Sequence, residues 1–128
     1  MSGPTAPPRE YAIDARSTAT FGRVLCSART HHFIIDGPVA NGCPGEELTP
    51  PEAFLSGVAA CGVELVQVIA REQSVSVGDV AVNIRAMVDR SRPVRPDVTV
   101  FNSFQMRFTL RGVSAERAGS LIEQFKRR

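Results

Sequence analysis

Polar and apolar side chains alternate through residues 11–36, in YAIDARS, TFGRVLCSAR and HHFIIDG, with short polar or glycine-containing breaks between them. A period of two in β-prone residues predicts three strands running as an antiparallel meander. The next stretch, GPVANGCPGEELT from Gly37 to Thr49, is crowded with Gly, Pro and Asn and predicts a loop that carries Cys43. Thr49 then reads as a helix start. Its hydroxyl can cap, Pro50 and Pro51 are tolerated in a first turn, and Glu52 suits the positive end of the dipole. The helix is expected to run to about Gln73.

Between Ala53 and Ala70 the strongly polar residues are Ser56, Glu64 and Gln67. Together with Arg71 they fall within one stripe of about 80° at roughly 100° per residue. The remainder of that helix needs cover. The run is long enough to suggest a membrane span, but Glu64 and Gln67 lie in its middle beside two glycines, and no second such run exists. A buried central helix is the better reading. A chain this small has little material to surround such a helix, so a partner subunit, in a homodimer, is expected to contribute.

Val80, Val82, Ile84, Ala86 and Val88 alternate with Ala81, Asn83, Arg85, Met87 and Asp89, and the even positions from Val98 to Leu110 repeat the pattern. Both segments predict strands with one buried face. Asn102 on the apolar face and Phe101 on the polar one interrupt the second, as a bulge would. Between the two strands DRSRPVRPD is an exposed, Arg-rich connection. Ser114 then caps a last helix, with Ala118, Leu121, Ile122 and Phe125 on one face. The order β-β-β-α-β-β-α predicts an α+β fold. A flexible N-terminal tail is expected over residues 1–10 and a single domain over 11–128.

Composition narrows the chemistry. The 128 residues carry 43% hydrophobic and 22% charged side chains, an ordinary globular balance for one domain. The net charge is only +2, Trp is absent and Tyr11 is the sole Tyr, so neither charge nor stacking recommends nucleic acid as a partner. The first ten residues lack the apolar stretch of a signal peptide, and a cytoplasmic location is expected. In a reducing compartment Cys26, Cys43 and Cys61 read as free thiols. His31 and His32 are adjacent, so on a strand they face opposite sides and cannot share a metal. No CxxC, HExxH, phosphate-binding loop or dinucleotide fingerprint is present, and no cofactor or metal is expected.

Cys61 lies among the small residues Ala59, Ala60 and Gly62, and by pattern alone it reads first as a small buried hydrophobe and only second as a nucleophile. The run TPPEAFLSGVAACGVELVQVIA around it resembles the signature of the osmotically inducible protein C and organic hydroperoxide resistance (OsmC/Ohr) family. There a Pro and an acidic residue open a central helix that carries a reactive cysteine. FIIDGP ahead of the Gly-rich loop and the closing FTLRGVSAERAGSLIEQF fit the same layout, so the resemblance covers the chain from about Tyr11.

The resemblance implies an OsmC-like fold in an intertwined homodimer without membrane association. It also implies a peroxidatic cysteine, matched by Cys61, that reduces organic hydroperoxides and is recycled by a thiol or dithiol reductant. Such a cysteine reacts as its thiolate and needs a cation beside it, itself held by a carboxylate. Arg23, after a glycine in the early strand region, matches that cation, with Arg16 and Arg29 as alternatives. Glu52 matches the acid, with a departure: the better-known branches place it ten residues before the cysteine, where this chain has Pro51. Nine residues of helix turn through about 900° and rise about 13 Å, so Glu52 and Cys61 face opposite sides of a straight helix. A second departure is that no cysteine follows the final helix, where the family's peroxidases carry a resolving thiol. Cys43 or Cys26 could take that task, or an external thiol could. The alternative reading is a non-catalytic dimer that binds a small apolar ligand or acts in stress response without turnover, with Cys61 as packing.

Overall fold

The computed structural model describes residues 6–128. The tail expected over residues 1–10 begins with five residues outside the described ones, and residues 6–13 carry neither helix nor strand. The chain forms two compact units, one ending at Ala53 and the other Phe54–Arg128.

The first unit is the expected meander. Strands β1 (Asp14–Ser17), β2 (Arg23–Ala28) and β3 (His31–Asp36) form an antiparallel sheet in the order β1-β2-β3. Ala28 pairs with His31, so only Arg29 and Thr30 turn the β2–β3 hairpin, with Arg29 in the left-handed region at φ 55°. The loop after β3 contains a 3₁₀ turn over Val39–Asn41 and is tied back to the sheet edge, where Asp36 N–H donates to the Leu48 carbonyl and Gly37 N–H to that of Gly22.

Helix α1 (Pro50–Glu72) begins in the first unit and runs into the second, with bounds close to those expected. The second unit adds the antiparallel pair β4 (Val80–Met87) and β5 (Ser103–Leu110) and helix α2 (Ala115–Phe125). Its core is Val66, Ile69, Ala70 and Leu121, against which Val75, Val77, Val80, Phe108, Leu110 and Phe125 pack. The face predicted for α2 is the face that packs: Leu121 is fully buried and Phe125 meets Phe108 with ring centroids 5.4 Å apart. Ser114 caps α2, its hydroxyl accepting from Arg117 N–H.

One expectation is corrected. No bulge interrupts β5, because the ladder runs evenly from Val80 opposite Leu110 to Met87 opposite Ser103. Asn102 stands just outside it and closes its end: Asp89 N–H donates to Oδ1 at 2.7 Å, and Nδ2 donates to the Arg92 carbonyl at 2.6 Å. Phe101 leaves the strand pattern because it stacks on Phe54. Helix α1 is incompletely covered within one chain. Only Gly62, Val66, Ile69 and Ala70 of this helix are buried, although by length and apolar composition alone it could cross a membrane.

Candidate active site

The chemistry-bearing residues form one group in each unit. In the first, Arg23 opens β2 directly opposite Asp36, the last residue of β3. Their side chains meet edge to edge: Arg23 Nε donates to Asp36 Oδ1 at 2.8 Å and Nη2 to Oδ2 at 2.9 Å. Asp36 is fully buried, and its Oδ2 also accepts the backbone N–H groups of Glu46 and Glu47, each at 3.0 Å. A buried carboxylate is tolerated only when so fully satisfied. The hydrogen bonds from Arg23 first, then those from the Glu47 and Glu46 amides, hold its pKa well below the usual carboxylate range despite burial. The same pairing raises the Arg23 pKa further, so the guanidinium is permanently charged.

A second carboxylate reaches the same cation, as Nη2 donates to Glu46 Oε1 at 3.0 Å. Glu46 is 73% exposed against none for Asp36, so the two contacts differ in kind. Among the described residues Nη1 of Arg23 has no hydrogen-bond partner. Neither Asp36 nor Glu46 was singled out from the sequence as a site residue. The available signal was a lone carboxylate ending the apolar run FII, which must find partners if the strand end is buried. Of the alternative cations, Arg16 is exposed on β1 and Arg29 occupies the hairpin turn.

Glu52 is committed to the start of α1. Its Oε1 accepts from Thr49 N–H at 3.0 Å and from the Thr49 hydroxyl at 2.8 Å. The Thr49 amide lowers the Glu52 pKa most, followed by its hydroxyl. Thr49 therefore does not cap α1 simply by offering its hydroxyl to the helix, as expected; the Glu52 carboxylate reaches back to it, as in a capping box.

The three cysteines sit in different environments. Cys26 is buried on β2 opposite Phe33, Cys43 is half-buried in the loop, and Cys61 is exposed on α1. Cys43 fills a cradle between two glycines, for a β-carbon at Gly22 or Gly37 would collide with its sulfur. Gly22 also holds φ at 80°, which favours glycine. In the second unit, Gly62 next to Cys61 lets α1 lie against β5, since a β-carbon there would stand 3.3 Å from Met106 and Phe108. Phe54, 56% exposed, joins Phe101 and Phe104 in an aromatic trio with centroids 5.0 to 6.5 Å apart. A groove of about 650 Å³ lies elsewhere, along Glu64, Gln67, Arg71, Ser74, Ser76 and Val77. No group of His, Cys, Asp and Glu able to hold a metal occurs among the described residues.

The fold has clear relatives among solved structures. An OsmC-like protein from Mycoplasma pneumoniae matches with a TM-score of 0.80 at 16% identity, over 94% of this chain and 82% of its own. An organic hydroperoxide resistance protein from Elizabethkingia anophelis, with thiocyanate bound, matches with a TM-score of 0.74 at 14% identity, over 96% and 85%. A putative organic hydroperoxide resistance protein from Vibrio cholerae, with captopril bound in one of the active sites, matches with a TM-score of 0.63 at 19% identity, over 94% and 81%. No curated protein matches by sequence. The family model described as OsmC-like protein matches residues 43–128, which span the loop cysteine, the whole of α1 with Cys61, and the β4–β5–α2 unit. With two thirds of its length matched by that model, and with its fold shared by these structures, the chain belongs to the OsmC-like family.

Proposed function

We propose that the protein is a thiol-dependent reductase of organic hydroperoxides that acts in oxidative-stress defence, in the cytoplasm and as a homodimer, with Cys61 as the peroxidatic residue. The observation that carries this reading is the exposure of Cys61, which the motif around it matches to the family's cysteine, while Cys26 is buried and Cys43 is wedged between glycines. Attack on a peroxide requires an accessible sulfur. The names of the relatives from Elizabethkingia anophelis and Vibrio cholerae point to the same substrate class.

In the proposed reaction the Cys61 thiolate attacks the terminal oxygen of ROOH. The O–O bond breaks as the S–O bond forms, and the leaving alkoxide takes up a proton as ROH. Sulfur is oxidised by two electrons to sulfenic acid and the hydroperoxide is reduced to the alcohol. A dithiol reductant then returns two electrons, releasing water and leaving as its disulfide; Cys43, less buried than Cys26, is the candidate internal thiol. Arg23 is the cation assigned to the thiolate, and its permanent charge suits that task. Glu52 belongs to the site through the start of α1, which its contacts with Thr49 stabilise.

The test is intact mass and peptide mapping after a few equivalents of cumene hydroperoxide. Selective oxidation of Cys61 within seconds is expected, and Cys61→Ser should abolish peroxide consumption while leaving the fold intact. A Cys61→Ser protein that consumes peroxide at the original rate overturns the reading. A second reading, a dimer that binds an apolar ligand without turnover, is favoured by the half-exposed trio Phe54, Phe101 and Phe104. It requires that Cys61 remain reduced in the same experiment.

A further inference from the structure

Asp36 and Glu46 share one guanidinium but cannot serve it in the same way. Asp36 is fully engaged: it ends β3 in register with Arg23, is wholly buried, and accepts two N–H groups of the guanidinium and two of the backbone. The planar fork of Arg against a carboxylate sets direction as well as distance. Glu46 is a solvent-exposed residue with one contact to Arg23, through an Nη2 that Asp36 already engages. Exposed pairs of this kind are weak and exchange readily. The count of charges is also uneven, one cation against two carboxylates, so an anion approaching Arg23 gains most when the looser carboxylate yields.

We propose that Asp36 is the positioning residue for Arg23, gripping its Nε–Nη2 edge so that Nη1 stays free to meet an anion, with Glu46 as the exchangeable counter-ion. This rests on the reading of Arg23 as the cation that serves the Cys61 thiolate. Asp36 touches neither thiol nor peroxide and acts through Arg23 alone. A carboxylate that merely neutralised Arg23 would slow the reaction by its presence; one that aims Arg23 speeds it. The two roles therefore predict opposite signs when the charge is removed.

The experiment measures single-turnover oxidation of Cys61 by cumene hydroperoxide in the full chain, together with its alkylation by iodoacetate relative to neutral iodoacetamide. Asp36→Asn is expected to slow oxidation about tenfold to a hundredfold, the scale of a misplaced catalytic contact. It should also lower the iodoacetate preference, whereas simple loss of a negative charge would raise it. Glu46→Gln should speed oxidation a few-fold, the scale of a weak exposed pair. Arg23→Lys, which keeps the charge but not the fork, should be slowed about as much as Asp36→Asn, and it decides the matter if Asp36→Asn does not fold. An Asp36→Asn protein that folds and reacts like the wild type overturns the proposal, as does a fully active Arg23→Lys. Inert wild-type Cys61 brings down the proposed function and this role with it. A slow Arg23→Met beside fast Asp36→Asn and Arg23→Lys removes the positioning role alone.

Discussion

Asp36 shows how one buried charge can organise a sheet edge. Its two oxygens gather the start of β2 through Arg23 and the loop through the amides of Glu46 and Glu47, so the carboxylate must be ionised for all four bonds to hold. The folded state holds its pKa below the unfolded value of about 3.9, so the stabilisation is fully present above that pH and is lost as pH falls below it. Glu52 is shifted in the same direction by Thr49 and adds to the same acid limb. Thermal unfolding from neutral pH down to about pH 3 should show a steep loss of stability below about pH 4. Asp36→Asn, already less stable at neutral pH, should lose much less over that range; equal losses would contradict the assignment. FIIDGP is plainly an apolar strand ending in Asp. That its carboxylate turns back on Arg23 was not legible, because the pairing depends on the β2–β3 register.

Elements were more readable than contacts. Three strands, a loop, a long helix, two strands and a capped helix follow from periodicity and turn chemistry, and observed helix bounds lie within about two residues of expectation. Leu121, Ile122 and Phe125 were placed on one face by spacing, and only packing ranks them: Leu121 is wholly buried between the α1 residues and the sheet core. Leu121→Ala should cost about 2–5 kcal/mol, as for other buried leucines, and a loss of unfolding free energy in denaturant of less than a quarter of that would place Leu121 outside the core. Asn102 is the contrary case. Read as a disturbance within β5, it closes the β4–β5 hairpin from outside the ladder, because its amide can satisfy two backbone groups at once.

At the scale of the whole molecule, α1 is the feature that one chain leaves unfinished. Its apolar residues run nearly all round, yet four of them are buried. Phe54 remains 56% exposed, and Cys61 and Ala60 face outward. So much apolar helix surface in water favours association. Sedimentation equilibrium should give twice the chain mass of 13.8 kDa, and Ala60→Glu should shift the protein towards monomer with its secondary structure kept. A monomeric wild type at micromolar concentration would refute the homodimer.

The sequence by itself determined the α+β class, the order of elements and the family, because these depend on local periodicity, caps and a contiguous motif. Tertiary structure alone decided which carboxylates meet Arg23, that Glu52 serves the start of its own helix, and that Cys43 fills a space left by Gly22 and Gly37. Each of those contacts joins side chains through strand register, loop closure or helix capping, and charge or spacing along a chain does not specify which of several compatible partners the fold will bring within 3 Å.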